Sequence, residues 1–217
     1  MFDKHRAKVA AEAYEKALGE WRGQRDGMAE LIQTAETFEG VASNDVMLRD
    51  SERLFLTVAG AALVGERRLP GQWKGKSQGF SIPVGSIRGR SIRYRTGTSR
   101  GHLVQGAVVP AAVDTGTVFV TNQRVIFEGK KQTRECQFAK LIGFQHDADG
   151  STTFSVSNRQ KPTTIHYGPA AAPTFDFRFD LALAHFRSEV PALVQTLQGY
   201  LAQIDATQPA APAALPA

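Results

Sequence analysis

A chain of 217 residues with 42% apolar side chains suits one ordinary domain plus an appendage, and it is too apolar to be disordered. Its net charge of +5 is unevenly spread: residues 1–66 hold 8 Lys/Arg against 12 Asp/Glu, residues 67–113 hold 9 against none, and residues 114–217 hold 9 of each. The whole excess therefore sits in one acid-free segment, and a clustered field attracts anions where a dispersed one does not.

The first 21 residues, MFDKHRAKVAAEAYEKALGEW, carry acids throughout and no apolar centre, so no signal peptide is expected. Apolar residues at Ala10, Ala13, Tyr14, Ala17, Leu18 and Trp21, resuming at Met28, Leu31, Ile32, Ala35 and Phe38, trace one helical stripe. They predict a helix from about residue 4 to 38, softened near Gly23 and stopped by Gly40. The stripe needs an apolar partner. The expected one is the strand face carrying Leu54–Leu56, Phe119 and Ile126.

From Arg53 the pattern changes to short apolar runs. RLFLTVAGAALVGERRL reads as a strand bent at Gly60. Its apolar stretch is far shorter than the ~20 residues that cross a bilayer, so no transmembrane segment is expected. GFSIPVGSIRGRSIRYRTGTSRGHLVQG is punctuated by glycine and reads as short edge strands and loops. TVFV and VIFE are strands around a Thr121–Arg124 turn, in which Asn122 can adopt left-handed φ or bond the local backbone. TRECQFAKLIGFQ carries a third strand, HDADGS is an Asp-Gly turn, and TTFSVS and TTIHY form another hairpin. TFDFRF (174–179) alternates aromatic with charged and predicts a half-buried strand. Asp180 then caps a last helix with a stripe from Leu183 to Ile204, jointed at Pro191. After residue 204 the chain is Ala/Pro-rich, and disorder is expected over 205–217.

The order is an N-terminal helical segment (1–50), a run of roughly seven strands, and a closing amphipathic helix (51–204). Short turns between successive strands exclude a parallel sheet, so the fold class is α+β with an antiparallel barrel or sandwich. Val118–Phe127, VFVTNQRVIF, followed by RECQFAKLIGF with its Leu141–Ile142 pair and the C-terminal helix, resembles the bacterial pleckstrin-homology-like and GRAM-like domains. The resemblance implies a bent antiparallel barrel plugged by the last helix. It also implies binding of lipid headgroups, peptides or partner domains rather than catalysis.

Catalytic and cofactor signals are weak. The histidines share no helical face and no Cys/His cluster, HDADG lacks the remaining calcium ligands, and no phosphate-cradling glycine loop or nucleophile elbow occurs. Cys136 reads as a small core residue. No enzyme activity, metal or cofactor is expected. The binding candidates are Lys74, Lys76, Arg88, Arg90, Arg93, Arg95 and Arg100, flanked by Arg67 and Arg68. Arginine binds phosphate through two parallel hydrogen bonds, so these residues suit a phosphorylated ligand. The other reading is internal pairing with the acidic first 66 residues. The expected partner is an anionic phospholipid surface or a protein. Nucleic acid ranks lower, because Trp73 and Tyr94, taken as the plausible stacking partners in the segment, are few for single strands. The expected location is cytoplasmic, peripheral at a membrane where docking occurs.

Overall fold

The computed structural model describes residues 2–70, 72–87, 90–105 and 107–211; within 72–104 the description is of the backbone alone. Helix α1 (Phe2–Thr37) is followed by strands β1 (Leu54–Arg68), β2 (Gln72–Ile87), β3 (Arg90–Val104), β4 (Val108–Thr121), β5 (Arg124–Gly129) and β6 (Thr133–Gln137). A single 3-10 turn (Phe138–Lys140) leads to β7 (Leu141–Asp147), β8 (Ser151–Val156) and β9 (Thr163–His166), and then helices α2 (Ala172–Arg187) and α3 (Val190–Ala206).

Among the described residues, seven strands form one antiparallel sheet in the order β6-β5-β4-β1-β9-β8-β7, and β2 and β3 pair only with each other. The α+β antiparallel expectation holds, but the sheet is not a closed barrel: β6 and β7 are its two edges. The Glu135 carbonyl on β6 accepts from the Arg159 guanidinium at 2.8 Å, so a side chain meets this edge. Strand β1 serves both halves of the sheet. It bends at Gly60, where φ is +75° and the register with β4 shifts, and then pairs with β9 over Ala62–Val64.

Pattern explains the core. Val118, Val120, Val125 and Phe127 alternate into the main apolar cluster, with Phe154, Ile165, Phe175 and Phe179. Phe119 and Ile126 point the other way and join Leu54 in a small second cluster. That second face is covered by Val46 from the segment before β1, and not by α1 as expected. Helix α1 lies instead along α3: Trp21 Nε1 donates to the Ile204 carbonyl at 2.7 Å, and Arg25 pairs with Asp205 at 2.9 Å. Its C-terminal part reaches the main core through Met28, Ile32 and Ala35, followed by Phe38 just beyond the helix. The partner of the stripe is therefore another amphipathic helix.

TFDFRF is helical, not extended. Pro173 sits in the first turn of α2, and Phe175, Phe179 and Leu183, spaced by four, are buried on one side of it. Asp180 lies inside α2 rather than at a cap. The joint at Pro191 is real: Ser188 adopts a left-handed φ of 59°, and α3 restarts with Pro191 in its first turn. Of the C-terminal tail, Asp205 and Ala206 complete α3, and residues 212–217 lie outside the described residues.

Candidate functional site

The Thr121–Arg124 turn organises a buried polar clip. Arg124 donates to Glu52 from Nε (2.8 Å) and Nη2 (3.0 Å), to Glu135 from Nη1 (2.6 Å), and to the Met47 carbonyl from Nη2 (2.8 Å). Thr121 Oγ1 donates to Glu52 at 2.6 Å, and the Arg49 backbone N–H donates to the same carboxylate at 2.7 Å. Burial raises the Glu52 pKa, but these hydrogen bonds outweigh it and hold the carboxyl below its usual range. Asn122 bonds neither its own backbone nor a left-handed turn; its side chain accepts from the Arg53 N–H at 2.8 Å. The turn thus fastens the 41–53 segment to the sheet, and four of the five guanidinium N–H groups of its arginine are committed to these acceptors.

A different set of cations converges at the far end of the strands. A pocket of about 220 Å³ opens between β1 (Leu63–Gly65), Val113 of β4, Gln132 just before β6, Arg134 of β6, and the β8–β9 turn carrying Arg159 and Lys161. Arg159 is held by neutral oxygens: Thr163 Oγ1 accepts at 3.1 Å and the Glu135 carbonyl at 2.8 Å. Arg134 donates to Gln132 Oε1 at 2.7 Å. Neither guanidinium joins an ion pair among the described residues. Lys161 pairs with Glu66 at 2.7 Å, but both side chains are exposed and such a pair is weak.

Asp114 shapes the neighbouring turn. Its carboxylate accepts from the N–H groups of Thr115 (2.9 Å), Lys131 (2.9 Å) and Gln132 (3.0 Å). Burial raises its pKa and these three donors lower it, the donors prevailing. Lys130 and Lys131 are thereby fixed in an exposed turn beside the pocket. The volume is below the ~300 Å³ at which drug-sized pockets begin, so it fits a small anionic group. Beneath it, burial pushes the Cys136 thiol up, which makes it a core residue and a poor nucleophile.

Of the residues expected to bind, Lys74 and Lys76 lie on β2, and Arg90, Arg93, Arg95 and Arg100 on β3. The register sets Lys76 opposite Arg100, Lys74 opposite His102, Ser81 opposite Arg95 and Pro83 opposite Arg93. Arg88 lies outside the described residues. Arg67 and Arg68 are exposed at the end of β1, where the pocket wall passes into this ribbon. The ion pairs described for residues 1–66 stay within that segment or end at Arg124, Glu135, Lys161 or Asp205. Sequence reading missed Arg134, Arg159, Lys161 and the Lys130–Lys131 turn, all of which lie in the charge-balanced segment 114–217.

A third polar cluster ties α2 to β7–β9. Tyr167 donates to Asp176 at 2.9 Å and lies 2.7 Å from Thr152 Oγ1, and His146 Nδ1 is 3.1 Å from Asp176. Burial raises the Tyr167 pKa, keeping it a donor, and burial also raises that of Asp180 on the same helix. Among the described residues no group of three or more His, Cys, Asp or Glu could hold a metal ion, and no helix is long and apolar enough to cross a membrane. Compared with protein-family models, with curated proteins and with solved structures, the chain finds no match.

Proposed function

We propose that the protein is a non-catalytic binding module of the pleckstrin-homology-like kind that docks to an anionic membrane surface. The observation that carries this reading is the pocket at the turn end, where Arg134 and Arg159 are held ready by neutral acceptors beside Lys130, Lys131 and Lys161. Two further features support it. The strand order, a run β1-β4-β5-β6 and a run β7-β8-β9 sharing the bent β1, with α2 packed into the core, is compatible with such a module, with the sheet left open between β6 and β7. The basic ribbon also starts at the same end, from Arg67 and Arg68.

Each cation near an anionic surface contributes ~1 kcal/mol, so four give a dissociation constant of about a millimolar. A phosphate seated between two guanidinium groups adds charge-assisted hydrogen bonds to that weak field. Flotation of the full chain with phosphatidylserine-containing vesicles against phosphatidylcholine alone tests the reading. Binding to the anionic vesicles only, falling with salt and falling about tenfold in Arg134→Gln, supports it. Equal binding to both vesicles, or to neither, overturns it. In the latter case a salt titration against RNA asks whether the same cations serve nucleic acid.

A further inference from the structure

We infer that the β2–β3 ribbon is a second membrane contact, a basic arm with interspersed apolar positions that lies in the interface of an anionic bilayer. The inference rests on the membrane-docking reading above. The last β1–β4 pair, Arg68–Val108, is continued without a slip by the first β2–β3 pair, Gln72–Val104, each strand having advanced by the same number of residues. Leu69 N–H donates to the Ala107 carbonyl at 2.9 Å between them. The ribbon is therefore an extension of the ladder whose inner strands wall the pocket. At ~3.3 Å per residue its 16-residue strand runs ~50 Å.

Among the described residues, strands β2 and β3 pair with no third strand, and a lone two-stranded ribbon is marginal in water. Its cross-strand neighbours include Lys76 opposite Arg100, and like charges in that position destabilise a ladder. Residues 72–104 hold seven Lys/Arg and no Asp or Glu. An anionic surface removes that repulsion. Two copies of the arm would repel each other, which disfavours a homodimer on this surface.

The apolar positions choose between anionic partners. Trp73 pairs with Leu103 and Ile82 with Tyr94, and Phe80 lies two residues before Ile82 on β2. A duplex nucleic acid has no use for this much aliphatic and aromatic surface. A bilayer interface takes both kinds: tryptophan and tyrosine concentrate at headgroup depth, and Lys/Arg side chains place their stems on apolar surface and their charges in the headgroups.

The test compares the full wild-type chain with Trp73→Phe on vesicles of phosphatidylserine and brominated phosphatidylcholine. Quenching of wild-type tryptophan emission that is largely lost in Trp73→Phe places the ribbon in the interface, because the other tryptophan, Trp21, sits between α1 and α3. Replacing Lys74, Lys76 and Arg100 together by Gln weakens vesicle partition by about a hundredfold, with the far-ultraviolet circular dichroism unchanged. Vesicle binding with no Trp73 quenching and no effect of the triple variant overturns the arm and leaves membrane docking standing. No vesicle binding at all overturns both. A Trp73 response to duplex RNA at matched salt, without one to vesicles, reassigns the ribbon to nucleic acid.

Discussion

Arg124 and Arg159 are both held by several hydrogen bonds, yet they have opposite capacities. Arg124 is 5% exposed and faces two carboxylates, Glu52 and Glu135. Its charge is cancelled, and it serves to pin the 41–53 segment. Arg159 is half-buried and faces a hydroxyl and a carbonyl, which orient a guanidinium without neutralising it. The difference teaches that a count of arginines measures neither stability nor binding. What decides is whether the acceptors that fix the side chain are themselves charged.

The contrast breaks most sharply at the clip. Arg124→Ala leaves Glu52 buried without its counter-ion, and a loss of about 3–5 kcal/mol in urea unfolding is expected. A loss under about 1 kcal/mol would mean that Glu52 has another partner. Gly116→Ala probes the sheet rather than the charges. A Cβ there would stand 1.9 Å from the Glu128 carbonyl oxygen, so the β4–β5 ladder must part, at a cost of about 2–3 kcal/mol by the same measurement. Arg159→Gln should do the reverse of Arg124→Ala, with anionic-vesicle binding about tenfold weaker and a stability change of about 1 kcal/mol or less. Comparable losses of stability in the two arginine variants would erase the distinction.

The smallest effects are in the pH dependence. Glu52 and Asp114 ionise more easily in the fold than in the unfolded chain. Their contribution is complete above the ordinary carboxylate range and is lost as pH falls through their depressed values, so a melting temperature followed downward from pH 5 should drop. Asp180 has the opposite sign: its raised pKa means that ionisation costs stability as pH rises through the carboxylate range. Asp180→Asn should therefore gain up to ~1 kcal/mol at pH 7, a rise of a few degrees in Tm, and show no gain at pH 3.

Much of the fold was legible because its signals are local. The stripe from Ala10 to Phe38 spans about eight turns, and one irregular stretch near Gly23 could not hide it. VFVTNQRVIF has both faces apolar, and both are covered. TFDFRF misled because Phe175, Phe177 and Phe179 alternate at a period of two while Phe175, Phe179 and Leu183 repeat at four. Six residues cannot separate those periods, and packing of the longer stripe against Phe154 and Phe138 decides for the helix. The pocket could not have been read at all. Arg134 and Arg159 come together only because the β8–β9 turn reaches across to the β6 edge, and neither lies in a segment of unbalanced charge.

The matched register of the β1–β4 and β2–β3 ladders also has a mechanical meaning. A load on the ribbon tip along its axis pulls both strands the same way, so it cannot slide one past the other. The tension passes into the sheet, where β1 would have to shear against β9 over Ala62–Val64 and β4 against β5 over Gly116–Val120. Those two short ladders bear any force that drags the protein along a surface. The first of them borders the wall of the basic pocket, so traction on the arm and the fit of the pocket share Leu63 and Val64 of β1.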